Sequence, residues 1–82
     1  MSAEKVRNMI ETIVKTVVDK PENVYVNLVE GEKTAIVELK VSQDDIGKII
    51  GREGRIVKAM RTLVAATSAK YNKRIILEIP ET

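Results

Sequence analysis

The sequence predicts an α+β fold with the element order α-β-β-α-α-β, in which a three-stranded mixed sheet carries three helices on one face. Apolar residues recur every three or four positions near the start of the chain and again in its second half, which is typical of amphipathic helices. Three shorter segments alternate apolar and polar residues, which is typical of half-buried strands. Two glycines three residues apart separate the last two helices.

The first helix is expected over residues 3–18. Its apolar positions share one side of the helix and are Val6, Met9, Ile10, Ile13, Val14, Val17 and Val18. Because many of these residues are β-branched, packing rather than helix propensity must stabilise this segment. The sequence Asp19-Lys20-Pro21 ends it, since the residue before a proline avoids helical backbone angles.

Two strands are expected next, over residues 24–29 and 34–41. The turn between them, Glu30-Gly31-Glu32-Lys33, is short and contains a glycine, so the strands form an antiparallel hairpin. A last strand is expected over residues 74–79, where Ile75, Leu77 and Ile79 share one face.

Two helices lie between the second and the last strand. Ser42 is expected to cap the first of them, with Asp45 at the capping-box position, and this helix runs to Ile50. The second helix is expected over residues 55–70, with a core-like stripe formed by Ile56, Val57, Met60, Leu63 and Val64.

The turn between these helices, Gly51-Arg52-Glu53-Gly54, carries the most specific chemistry of the chain. Its glycines allow backbone conformations that a Cβ would strain. The turn leads into a helix whose first N–H groups have no partner within the helix, and the helix dipole adds positive potential there. Together with Arg52 and Arg55, these donors predict a site for one or two phosphate groups. Gly47 is instead expected to permit close packing between helices.

Composition limits the chemistry that this chain can perform. Its 82 residues are enough for one domain, and they include no cysteine and no histidine. Disulfides, zinc–thiolate sites, thiol nucleophiles and the commonest general base are therefore excluded. The glycine turn is not followed by the Lys-Ser/Thr pair of a P-loop. We expect no enzymatic activity, no cofactor or metal, and no small-molecule substrate.

Positive charge is concentrated in one segment rather than abundant overall. Fourteen basic and 12 acidic residues give a net charge of +2, too little for bulk electrostatics to hold a polyanion. Between positions 48 and 61, however, one acid stands among five basic residues, which are Lys48, Arg52, Arg55, Lys58 and Arg61. This stripe is either a phosphate-binding surface or an ordinary solvated helix face. The glycine turn inside it favours the first interpretation.

The string I-I-G-R-E-G-R-I-V over residues 49–57 resembles the signature of the KH nucleic-acid-binding domain. The resemblance implies a β-α-α-β core over residues 34–79, preceded by an extra helix over 3–18 and an extra strand over 24–29. That arrangement is the type II KH domain, typical of bacterial proteins, and the resemblance covers residues 1–82 as a single KH domain. At this length the chain looks like the small bacterial RNA-binding KhpA family, whose members form homodimers or heterodimers with a larger KH-containing RNA-binding protein.

The resemblance implies that about four nucleotides of single-stranded RNA cross the domain with their phosphates against the GxxG loop. Apolar side chains would lie beneath the bases unless they belong to the core: Ile46, Ile49 or Ile50, with Val57 on the facing helix. Leu39 and Lys40 on the neighbouring strand would meet base edges or sugars from the other side. The full set of expected contacts is Gly51, Arg52, Glu53, Gly54, Arg55, Lys48, Ile49, Ile50, Lys58, Arg61 and Lys40. Single-stranded DNA is a further ligand in vitro, since nothing in the sequence selects for the 2′-hydroxyl.

One short groove predicts weak binding, so the protein is expected to act as a dimer, as an RNA chaperone or post-transcriptional regulator. The dimer contact is expected either at the strand residues that face away from the core or at residues 67–71; the former are Tyr25, Val29, Ile36 and Ile76. The alternative is a protein–protein scaffold or dimerisation module that keeps the KH fold with little RNA binding. The sequence contains neither a membrane-span pattern nor a signal-peptide pattern, so the expected location is the cytoplasm.

Overall fold

The computed structural model describes residues 2–80, with the backbone alone for Ser2 and Arg52. The predicted element order is confirmed: helix α1 (Ser2–Val17), strand β1 (Tyr25–Glu30), strand β2 (Thr34–Lys40), helix α2 (Gln43–Ile50), helix α3 (Arg55–Tyr71) and strand β3 (Arg74–Glu78). Short 3₁₀ turns, Pro21–Asn23 and Arg52–Gly54, precede β1 and α3. No helix among the described residues is long and apolar enough to cross a membrane.

The three strands form the expected mixed sheet in the order β1-β2-β3. The hairpin pairs β1 with β2 antiparallel, with Tyr25 opposite Lys40. Strand β3 runs parallel to β2, with Ala35 beside Ile75. A parallel partner needs a long crossover, and helices α2 and α3 provide it. The sheet topology therefore places the two helices and the loop between them on the path from β2 to β3.

All three helices pack on one face of the sheet, as predicted. Alternate residues of each strand are buried beneath the helices, and the core is completed from α1, α2 and α3; its most enclosed apolar side chains are Val6, Ile10, Val14, Val37, Leu39, Ile49 and Met60. The opposite face is open, and Tyr25 and Val29 are exposed there by 65% and 49%.

The buried side of α3 is narrower than the sequence predicts. Its buried residues are Val57, Met60 and Val64, which follow one another at intervals of three and four and so define one line along the helix. Leu63 lies at the edge of that line and is 45% exposed, so its prediction as a core residue is wrong. Ile56 is half-buried and packs at the margin of the core.

The start of α2 also differs from the prediction. Ser42 occupies the N-cap position, but its side chain makes no capping hydrogen bond, and its carbonyl accepts the N–H of Asp45 at 2.8 Å. The Asp45 carboxylate turns inward instead. It accepts the backbone N–H groups of Asp19 and Lys20, just after α1, so the predicted capping box does not form.

Candidate nucleic-acid interface

The loop between α2 and α3 has an unusual backbone, because three of its four residues have positive φ. Gly51 has φ 55° and ψ −168°, a combination that is essentially restricted to glycine. Gly54 has φ 63° and ψ 32°, in the left-handed region. Glu53 lies in the same region with φ 60° and ψ 15°, which costs a residue with a Cβ about 1 kcal/mol. Glycines at both ends thus set the shape of this loop.

Helix α3 begins immediately after the loop without a capping side chain. Gly54 is its N-cap residue and has no side chain to cap the helix, and the first turn contains no acidic residue. The first turn therefore has neither a capping side chain nor a carboxylate of its own to accept its N–H groups. This arrangement retains the positive potential at the loop that the sequence predicts.

A cavity of about 220 Å³ opens beside the loop, between α3 and the segment that follows β3. Aliphatic side chains form its apolar lining, and two basic residues and the last glycine of the loop border it; the lining residues are Ile50, Gly54, Val57, Lys58, Arg61 and Ile79. An apolar floor beside a donor-rich backbone is the combination that holds a base and its phosphate at the same time.

Two further pockets continue the cavity as a groove along α3 and β3, and Arg61 lines all three. The Arg61 guanidinium approaches the Leu77 carbonyl oxygen at 3.5 Å. Further along α3, the Ser68 hydroxyl accepts the N–H of Ile75 at 3.0 Å. Two side chains of α3 therefore contact the outer backbone edge of β3. The two further pockets that Arg61 lines extend the cavity along this strand.

The basic residues predicted to contact phosphate lie in different places. Lys58 and Arg61 line the cavity, and Arg55 is 83% exposed with its Nε 3.9 Å from Glu53 Oε2. Lys48 is directed away from the loop, since its Nζ lies 3.1 Å from Asp19 Oδ2. The Arg52 side chain lies outside the described atoms, and its backbone belongs to the 3₁₀ turn.

Three further expectations are changed by the structure. Ile49 is completely buried, so of the two neighbouring isoleucines only Ile50 lines the cavity. Lys40 lies on the open face of the sheet beside Tyr25, because its neighbour Leu39 is buried under the helices and successive strand residues face opposite sides. The predicted close packing at Gly47 is wrong, because a Cβ there would meet nothing within 4 Å.

Sequence reasoning missed the roles of two residues near this site. Ile79, which the alternation places on the same face as Ile75 and Leu77, packs against the core just beyond β3 and also borders the cavity. The sequence predicts a capping-box role for Asp45, but its carboxylate accepts the N–H groups of Asp19 and Lys20 after α1. The sequence signal for Asp45 was an acidic residue at a helix start, which does not distinguish a local cap from a distant acceptor.

A surface ion pair near Asp45 gives a testable pH dependence. Lys20 Nζ donates a 2.8 Å hydrogen bond to Asp44 Oδ2, and this bond and the lysine charge hold the pKa of Asp44 below its ordinary value. The same bond raises the pKa of Lys20. The contribution of Asp44 to stability is therefore present above its unfolded-state pKa and is lost as the pH falls through the lower folded-state pKa. It is small because both side chains are exposed.

An NMR titration is expected to give a lower pKa for the Asp44 carboxyl in the wild type than in a Lys20→Met variant. The physical reason is that methionine removes both the hydrogen bond and the charge that favour the carboxylate. Equal pKa values in the two proteins would contradict the pairing.

Comparison with known proteins gives a consistent result. The family model described as "KhpA/KhpB, KH domain" matches residues 7–79. A Borreliella burgdorferi protein named RNA-binding protein KhpA is 59% identical over 71 residues, covering 87% of each chain. Proteins of the same name from Clostridium perfringens and Aquifex aeolicus are 53% and 44% identical, covering 89% and 99% of this chain and 97% and 100% of their own.

Proposed function

Because the chain belongs to the KhpA/KhpB KH-domain family, we propose that it is a non-catalytic protein that binds single-stranded RNA through its GxxG loop and the adjoining groove. The observation that carries this proposal is that Gly54 lines the same cavity as Ile50 and Val57. A nucleotide whose phosphate lies against the loop then has aliphatic side chains next to its base. The names of the relatives, RNA-binding protein KhpA, support RNA as the ligand.

In the proposed complex, the backbone of the loop holds the sugar–phosphate chain. The N–H groups of Arg52, Glu53 and Gly54 face the phosphates, and the uncapped start of α3 adds to them. Lys58 and Arg61 stand at the border of the cavity and neutralise phosphate charge. Lys48 reaches a phosphate only by leaving Asp19, and Lys40 lies on the other face of the sheet, so both are expected to contribute less.

The number of neutralised phosphates sets the salt dependence. With two or three phosphate contacts, the logarithm of the association constant should fall with the logarithm of salt concentration with a slope of about −1.5 to −2, because each contact contributes about −0.7 on single strands. Fluorescence anisotropy of a short labelled RNA, titrated at several salt concentrations, measures this slope. A single-stranded DNA of the same sequence tests for selection by the 2′-hydroxyl.

The Lys58→Gln variant should make that slope shallower by about 0.7, because one released counterion is lost. Lys70→Gln is the matched control, since it removes the same charge from the last turn of α3 and lies outside the cavity. A Lys58 variant with the wild-type slope would show that this side chain contacts solvent rather than phosphate.

The proposal includes a dimer acting in the cytoplasm as an RNA chaperone or post-transcriptional regulator, with a second copy or a larger KH-containing protein as partner. In a dimer, an RNA bound in one groove meets the second groove at a high effective concentration, which strengthens the overall binding. Tyr25 and Val29 are exposed on the open sheet face, and Leu63 is exposed on α3 one turn before the expected contact at residues 67–71. Sedimentation at several protein concentrations, with and without RNA, tests for the second copy.

The alternative remains a scaffold that uses the KH fold for protein–protein contact with little RNA binding. The same exposed apolar residues, Tyr25, Val29 and Leu63, favour this alternative. A protein that dimerises but shows no salt-sensitive RNA binding would support it over the RNA-binding proposal.

A further inference from the structure

Asp45 is the one charged side chain that is buried among the described side chains, with 1% of its surface exposed. It lies in the first turn of α2, yet its bonds reach a distant part of the chain. Oδ1 accepts the N–H of Asp19 at 3.1 Å, and Oδ2 accepts the N–H of Lys20 at 3.0 Å. Each oxygen of the carboxylate thus has its own backbone donor. Charge-assisted hydrogen bonds of this kind are stronger than neutral ones.

Two ion pairs join the same two segments. Lys20 Nζ lies 2.8 Å from Asp44, and Lys48 Nζ lies 3.1 Å from Asp19. Both pairs are exposed, so each contributes little by itself, and the buried carboxylate carries most of the attachment. Residues 19 and 20, which follow α1, are therefore fastened to both ends of α2.

This attachment matters for the loop because α2 is short. The helix has eight residues, and Ile49 is its one completely buried apolar side chain. A helix of this length has little stability of its own and takes its position from tertiary contacts. Its last residue precedes Gly51, whose N–H donates to the Gly47 carbonyl. The position of α2 therefore sets the position of the loop.

We propose that Asp45 is a positioning residue for RNA binding: it holds α2 against residues 19 and 20 and thereby places the GxxG loop beside α3 and the groove. Asp45 and Gly51 are six residues apart, about 9 Å along a helix, so Asp45 acts through α2 and does not contact the RNA. This inference rests on the proposed function and adds to it a residue outside the groove.

The Asp45→Asn variant tests the inference, with Asp44→Asn as its control. Both changes remove one negative charge from the first turn of α2, so electrostatics alone predicts equal or tighter RNA binding for both. An asparagine at position 45 has one acceptor oxygen, which can accept only one of the two backbone N–H groups at the same geometry. Its NH₂ group then faces the second N–H, and two donors oppose each other. We expect Asp45→Asn to bind the labelled RNA at least about fivefold more weakly and Asp44→Asn to bind no more weakly than the wild type.

A loss of stability alone must be separated from a misplaced loop. Binding is therefore measured at a temperature where circular dichroism shows each variant fully folded. Ile10→Val, a core change in α1, provides a destabilised protein with an intact attachment, and its affinity should equal that of the wild type. The amide resonances of Gly51 and Gly54 should shift in Asp45→Asn and stay in place in Ile10→Val.

Hydrogen exchange of the wild type gives a second test that needs no variant. If the attachment at Asp45 favours RNA binding at the loop, bound RNA must stabilise the attachment to the same extent, because coupling between two sites is reciprocal. Saturating RNA should therefore slow hydrogen exchange at the Asp19 and Lys20 amides severalfold. Unchanged exchange at both amides while RNA is bound would overturn the inference, and so would equal RNA affinities for Asp45→Asn and Asp44→Asn. A wild type that binds no RNA would instead refute the proposed function.

Discussion

A protein in which Gly54 is replaced by aspartate is expected to stay folded and to bind single-stranded RNA at least about tenfold more weakly. The left-handed backbone at Gly54 is one that aspartate tolerates, and a Cβ there would meet nothing within 4 Å. The cost in folding free energy is therefore about 1 kcal/mol. The new carboxylate lies at the cavity, where it repels phosphate and competes for the N–H groups at the uncapped start of α3.

Asparagine at the same position is the matched control, because it has the shape of aspartate without the charge. Gly54→Asn should retain an affinity within about threefold of the wild type. That factor corresponds to about 0.6 kcal/mol, which allows for a weak steric conflict between the asparagine side chain and the bound RNA. Anisotropy titrations of the three proteins at one salt concentration make the comparison. If the folded aspartate variant binds as tightly as the wild type, the loop is not the phosphate clamp, and the scaffold alternative gains support.

Replacing Gly51 with alanine is expected to lower the free energy of unfolding by about 1–3 kcal/mol. Its backbone angles are essentially restricted to glycine, and an added Cβ would lie 3.3 Å from the Lys48 carbonyl oxygen. The end of α2 must move to relieve either the backbone strain or the close contact of the added Cβ. RNA binding should therefore weaken as well. Gly51→Asp would combine strain and charge, which makes Gly54→Asp the cleaner test of binding.

Gly47→Ala, one helical turn before Gly51, should raise the free energy of unfolding, whereas Gly51→Ala lowers it. Gly47 is exposed within α2, and the space around its position is open. Alanine should therefore raise stability by about 0.5–1 kcal/mol through its higher helix propensity. Urea denaturation of the wild type and both alanine variants measures the two changes, and about 1 kcal/mol corresponds to roughly 4–8 °C in Tm for a domain of this size. Equal effects at the two positions would contradict the loop geometry.

Much of this fold could be predicted from local patterns. The alternation in β1, β2 and β3 identified which strand residues face the helices, and the glycine pair identified the loop. Leu63 shows where such patterns stop: its helical spacing matches the core stripe, but exposure depends on which neighbours α3 packs against. Lys40 is a different case: the KH resemblance suggested a contact with the bound RNA, but the alternation along β2 already places its side chain on the open face.

By itself, the sequence determined the element order, the glycine loop and the cations nearest to it, because helix period, strand alternation and glycine conformation depend on neighbours in the chain. Only the tertiary structure decided that Ile79 joins Ile50 at the cavity, that Lys48 pairs with Asp19, and that Asp45 holds residues 25 and 26 positions away. These contacts join segments that are distant in sequence. Their partners are selected by how the helices and the sheet pack together, and no local pattern records that choice.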